Sequence, residues 1–314
     1  WWLDKGIDGF RVDAISHIKK EEGLSDLPNP TGLKYVSSFE KHMNVEGIHP
    51  LLEDLKKNTF DKYDIMTVGE ANGVKIEDAE LWVGEQEGKF NMVFQFEHAS
   101  IDWHPQEGKW RPTQFDFLKF KQILSKWQTS LDGEGWNSLF WNNHDLPRIV
   151  SRWGNDKEYR VETAKMFASI LHLMQGTPYV YQGEEIGMTN VHFEKLEQYN
   201  DIETLQFYRD NIKKGYTHEE MMDAIWKNGR DNARTPMQWD NSVNAGFTNA
   251  TPWLELNPNY TEINVKDALE NKDSIFHHYK KLINLRKNTE FSDVIVYGKY
   301  ELLLPEDEHI FAYI

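Results

Sequence analysis

Three short apolar runs in this chain end in an acid, and stretches of helical spacing separate them. Gly6 to Ala14 reads as a strand bounded by glycine and aspartate, with Arg11 and Asp13 near its end. Alternation sends Arg11 and Asp13 to one face and Phe10 and Val12 to the other. Asp64 to Glu70 has the length of a buried parallel strand, and Trp136 to Trp141 runs into Asn142-Asn143-His144-Asp145. Phe90 to Phe96 and Gly176 to Glu185 repeat the pattern. Pro50 to Lys57, Glu77 to Glu85, Phe115 to Leu131 and Tyr159 to Met174 carry helical spacing between or beside these runs, and Lys34 to Asn44 does so after a loop over residues 21–31.

Parallel strands need long crossovers, so this alternation predicts a parallel α/β architecture. The expected fold is the C-terminal part of a (β/α)8 TIM barrel, about strands 4 to 8, followed by the start of an antiparallel β-sandwich; a doubly wound sheet is the alternative. The expected division is a catalytic barrel over 1–188, an insertion over 189–265 rich in Asn, Asp and Trp, a last barrel helix over 266–289 and the start of a C-terminal β domain over 290–314. A start at Trp1-Trp2, inside what reads as a helix end, predicts a fragment lacking its N-terminal part, inactive by itself.

Strand ends of such a fold converge on one mouth, here lined by Asp13, Glu70 and Asp145. The net charge of -16 opposes nucleic acid and anionic membrane as partners and suits a neutral small molecule. With no cysteine and no His-x-x-x-His spacing, no metal site is expected in this segment. The absence of cysteine favours a reducing, cytoplasmic compartment. No apolar run has the length of a membrane span, and no glycine-rich phosphate loop follows a strand. Glycoside hydrolysis needs two carboxyl groups about one bond, one ionised and one protonated. Asp13 beside Arg11 suits the ionised role, because a neighbouring cation favours the charged form. Glu70, after Thr67-Val68-Gly69, has the less polar setting that raises an acid. Asp145 and His144 would hold sugar hydroxyls.

Gly9-Phe10-Arg11-Val12-Asp13, Val68-Gly69-Glu70 and Asn142-Asn143-His144-Asp145 resemble motifs of the α-amylase superfamily, glycoside hydrolase family 13. Phe94 to His98, Gln182 to Asn190 and Gly229 to Trp239 are similar to its oligo-1,6-glucosidase and α-glucosidase branch. The resemblance implies a retaining, exo-acting α-glucosidase working through a β-glucosyl-enzyme. Asp13 matches the nucleophile, Glu70 the acid/base and Asp145 the transition-state stabiliser. Arg11 and His144 match glucose contacts, and Arg230 matches an arginine closing the pocket. The family also allows a structural calcium in an N-terminal part.

The branch commonly places Val or Thr after the nucleophile, where this chain has Ala14, with His17 nearby and Asn72 after the acid. The smaller side chain points to maltose and malto-oligosaccharides with glucosyl transfer as a side reaction. Isomaltase, trehalose-6-phosphate hydrolase and sucrose isomerase activities are the alternatives, and a non-catalytic transporter heavy chain is the non-enzyme one. The protein is expected to act as a monomer on α-glucosides.

Overall fold

A computed structural model describes residues 1–23, 25–29, 36–105 and 107–314. The first sheet joins β1 (Gly9–Val12), β2 (Met66–Glu70) and β3 (Met92–Phe94), all parallel, with Arg11 opposite Val68 and Glu70 opposite Phe94. Close approach here demands glycine: Gly9 has φ 150°, and a Cβ on it would lie 1.8 Å from the Met66 carbonyl oxygen. β1 is an edge strand among the described residues, which leaves Arg11 exposed while Thr67, Val68 and Gly69 of the middle strand are buried. The opening run is therefore less buried than its composition predicts.

A second parallel pair joins β4 (Ser138–Leu139) and β5 (Thr177–Pro178). β6 (Leu302–Leu303) and β7 (Ala312–Tyr313) form a separate antiparallel ribbon. Strands thus stand within all five predicted runs, but the expectation of a barrel arc of strands 4 to 8 leading into a sandwich is corrected. Among the described residues no ladder joins β3 to β4, and no barrel closes. Just after β4, the Phe140 carbonyl is met by the buried His98 imidazole at 2.9 Å and not by a strand, in keeping with the break in the sheet there. The architecture is α/β with parallel and antiparallel pieces.

The helices follow their apolar spacing. They are α1 (Ile48–Asn58), α2 (Ala79–Val83), α3 (Phe117–Leu131), α4 (Ile149–Arg152) and α5 (Arg160–His172), then α6 (Ile202–Ile212), α7 (His218–Asn228), α8 (Asp231–Arg234), α9 (Val265–Glu270), α10 (Ile275–Asn288) and α11 (Ser292–Tyr297). In α3 the Asp116 carboxylate accepts the Lys119 amide at 2.9 Å, and Phe120, Ile123, Leu124, Trp127 and Leu131 form its buried stripe. The main core gathers these with Trp82, Trp141, Phe167, Leu171 and Leu282. The loop over 21–31 and the helix expected over 34–44 fall partly outside the described residues; what is described there is a single 3-10 turn, Phe39–Lys41.

Residues 191–254 hold a second core of Val191, Phe193, Tyr199, Met222, Ile225 and Leu254. Arg148, 1 % exposed, fastens this part to the strand ends. Its guanidinium donates to the carbonyls of Gln182, Asn232 and Ala233, so the loop after β5 and helix α8 are held on one side chain. Burial lowers its pKa to about 10, which leaves it charged at neutral pH.

Candidate active site

All five strands of the two parallel sheets point the same way within their sheets, and residues at the ends of β1, β2 and β3 and after β4 and β5 meet in one cavity of about 200 Å³. Arg11, Glu70, Asn142, Asn143, His144 and Tyr179 to Tyr181 line it, with Phe94, Phe96 and Phe140 as the apolar wall. Larger clefts exist, one of about 510 Å³ around the starts of β2 and β3. Chemistry and not volume selects the small cavity, since its Arg11 and Glu70 are bonded in one set with Asp13.

The Arg11 guanidinium bonds both the Asp13 and the Glu70 carboxyl groups, one on each terminal nitrogen. Their surroundings differ: the Asp13 side chain is 77 % exposed and that of Glu70 18 %. The hydrogen bond from Arg11, reinforced by one with Glu70, holds the Asp13 carboxyl below the ordinary carboxylate value. Burial pushes the Glu70 carboxyl up, against the opposing pull of the Ala14 amide and Arg11. One carboxyl is thereby poised ionised and its neighbour poised to carry a proton.

Asp145 stands on the turn after β4, held by an arginine that the sequence reading passed over. Arg234 donates to Asp145 Oδ1 at 2.6 Å and to the His144 carbonyl at 2.8 Å. Arg230 reaches the same oxygen at 3.5 Å and is held mainly by Asp201, which accepts its Nε at 2.9 Å. Asp201 is buried, caps α6 by accepting the Thr204 amide at 3.0 Å, and lies 3.6 Å from Arg234 as well. The four-residue spacing of Arg230 and Arg234 was the available signal, since it puts both on one helical face. His144 lies 3.5 Å from Asp145.

The remaining candidates divide. Ala14 sits at φ 44°, left-handed, and its amide faces Glu70 Oε2 at 3.3 Å, so it belongs to the carboxyl pair. Asn72 is half-buried, two residues beyond Glu70. His17 turns away: its Nδ1 is 2.9 Å from His42 Nδ1 and its ring packs on Phe39. Among the described residues no group of three or more His, Asp or Glu could hold a metal ion, and no helix is long and apolar enough to cross a membrane.

The sequence model of the family described as "Alpha amylase, catalytic domain" matches residues 1–298. An oligo-1,6-glucosidase from Halalkalibacterium halodurans is 55% identical over 313 residues, covering 100% of this chain and 55% of that protein. The crystal structure of a trehalose-6-phosphate hydrolase mutant from Bacillus licheniformis superposes with a TM-score of 0.90 at 44% identity, covering 99% of this chain and 55% of that one. An isomaltulose synthase from Klebsiella superposes at 0.91 with 35% identity over the same shares. The expectation of a fragment lacking its N-terminal part is corrected to a chain that the catalytic-domain model matches over residues 1–298, nearly its whole length. The chain spans about half the length of the relatives it matches, 55% in each of these three.

Proposed function

The chain belongs to the α-amylase catalytic-domain family of glycoside hydrolases, and from that premise we propose that the protein is a retaining, exo-acting α-glucosidase of short α-glucosides, preferring α-1,6 links. The observation that carries the reading is the single guanidinium of Arg11 shared by two carboxyl groups of opposed acidity. Two carboxyls on one guanidinium support the separation of about 5–5.5 Å that a retaining mechanism uses, in contrast to the wider gap that admits a water in inversion.

In the proposed reaction the Asp13 carboxylate attacks the anomeric carbon while Glu70 gives its proton to the departing glycosidic oxygen. Glu70, now ionised, takes a proton from a water that displaces Asp13 from the glucosyl ester. Asp145 and His144 hold hydroxyls of the ring as it flattens, and Arg230 and Arg234 limit the pocket to one terminal glucose. The α-1,6 preference leans on the oligo-1,6-glucosidase relative. Ala14 supports a second reading, maltose and malto-oligosaccharides, because its methyl group leaves room beside Glu70. A phosphorylated substrate is less well supported, since Arg11, Arg230 and Arg234 already face carboxylates. We also propose the division into a catalytic part over 1–188, an insertion over 189–265, a helical return over 266–289 and a last segment over 290–314 in which the helix Ser292–Tyr297 precedes the β6–β7 ribbon, supported by the separate core within 191–254.

The test is glucose release by the full-length protein from isomaltose, maltose, trehalose 6-phosphate and sucrose, with Asp13→Asn as control. Fastest release from isomaltose, lost in the control, is expected. Faster release from maltose would promote the second reading, and no release from any of the four would overturn the assignment.

A further inference from the structure

The turn that carries His144 and Asp145 is held from behind by the loop after β5. Asn142 is the junction, a buried residue that also lines the carboxyl cavity. Its Oδ1 accepts the Ile149 amide at 2.7 Å, which closes the segment 142–149 onto the start of α4. Its Nδ2 donates to Glu184 Oε2 at 2.6 Å. The other Glu184 oxygen accepts the Tyr279 hydroxyl of α10 at 2.7 Å. Arg148, inside the same segment, ties it twice more to the loop after β5, through its amide on Asn190 Oδ1 at 2.9 Å and its guanidinium on the Gln182 carbonyl. Glu184 is buried and lies outside the lining of the cavity.

We propose that Glu184 is a positioning residue of the reaction: it fixes the Asn142 carboxamide and, through it, the turn that presents His144 and Asp145 to the terminal sugar. The inference rests on the glucosidase reading above. Burying a carboxyl group costs free energy, so a loop that needed only packing would be served better by an apolar side chain. What the carboxylate adds is acceptance on two oxygens, one for Asn142 and one for Tyr279, with no donor to oppose either. A hydrogen bond to an ionised acceptor is roughly twice as strong as a neutral one. Asn142 is thereby engaged at both ends of its amide and cannot swing into the cavity. Three positions on, Arg234 holds Asp145 from the other side, so the turn is gripped at its start and at its acid. Glu185 and the buried Arg148 are charged neighbours of Glu184, and burial lifts its carboxyl to about 7. The bond to Asn142 therefore gains its charge-assisted strength as pH rises through that value.

Two replacements separate positioning from stability. Glu184→Gln keeps an acceptor for Tyr279 but sets an amide nitrogen against that of Asn142, and Glu184→Met is of similar length and offers a strong acceptor to neither. In glucose release from isomaltose both are expected to lose kcat by about tenfold with KM moving less, although only the methionine variant has also lost the Tyr279 bond and should unfold at lower urea. In an Asn142→Ala background neither replacement should cost further activity. In wild-type protein isotope-labelled at asparagine, the Asn142 side-chain amide signal, assigned by its loss in Asn142→Ala, should shift as pH crosses about 7, and in Glu184→Gln it should not. Full kcat in both variants, a loss undiminished in the Asn142→Ala background, or a wild-type Asn142 signal indifferent to pH would overturn the proposal. No glucose release by the wild type would overturn the glucosidase reading, and the Asn142 signal, which needs no substrate, would then decide by itself whether Glu184 holds this turn.

Discussion

Glu184, on the loop after β5, is 4 % exposed and carries an acid that the fold prefers protonated. Its carboxyl accepts the Tyr279 hydroxyl at 2.7 Å and the Asn142 amide at 2.6 Å. Burial outweighs these bonds and raises its pKa from 4.5 to about 7. Because the folded value lies above the unfolded one, its contribution to stability is complete below about pH 4.5 and is lost as pH rises through about 7. At about 1.4 kcal/mol per pH unit, that interval amounts to about 3 kcal/mol. His98 works in the opposite sense: burial lowers it from 6.5 to about 4, so its contribution stands above 6.5 and is lost as pH falls through 4. The two partly mask each other in the wild type. Glu184→Gln keeps the volume and the acceptor for Tyr279 and costs about 1 kcal/mol for the Asn142 bond. Urea unfolding of both proteins at pH 4.5 and pH 8 isolates the acid. The wild type should lose about 3 kcal/mol relative to the variant between those values. Equal pH dependence in the two proteins would refute the argument that burial dominates at Glu184.

Activity should follow a bell in pH. Its acid limb lies below the ordinary carboxylate range because Arg11 holds Asp13 down, and its alkaline limb lies above the ordinary glutamate value because burial holds Glu70 up. Replacing Arg11 with Met should move the acid limb upward in kcat/KM profiles. Arg152→Met should cost about 3–5 kcal/mol in thermal or urea unfolding, since it strands the buried carboxylate of Asp102, whose oxygen also accepts Arg152 Nε at 3.0 Å and Trp153 Nε1 at 2.9 Å. Gly9→Ala should abolish the native register of β1 on β2, because the new Cβ would meet the Met66 carbonyl oxygen at 1.8 Å; wild-type melting of this variant would show that the edge strand can shift.

How much was legible in the sequence follows from how local each feature is. The two-residue spacing of Arg11 and Asp13, at the end of β1 and in the turn after it, is local and their bond was legible, whereas the bond of Arg11 to Glu70 spans 59 positions and needs β1 paired on β2. Strand closure is not local. The Phe140 carbonyl just after β4 meets the His98 imidazole from 42 positions away, a contact that no local pattern announces. The bond between Arg234 and Asp145 spans 89 positions and has no periodicity to announce it, although the spacing of Arg230 and Arg234 was in plain view.

The charge pattern joins these scales. A chain of net charge -16 sets Arg11, Arg230 and Arg234 around one mouth, against Asp13, Glu70, Asp145 and Asp201. Each guanidinium is engaged by carboxylates within the protein, so little positive charge is left to attract an anion. On the glucosidase reading proposed above, sugar hydroxyls would bridge Asp145, His144 and Arg234, and the overall charge of -16 would disfavour a phosphorylated competitor.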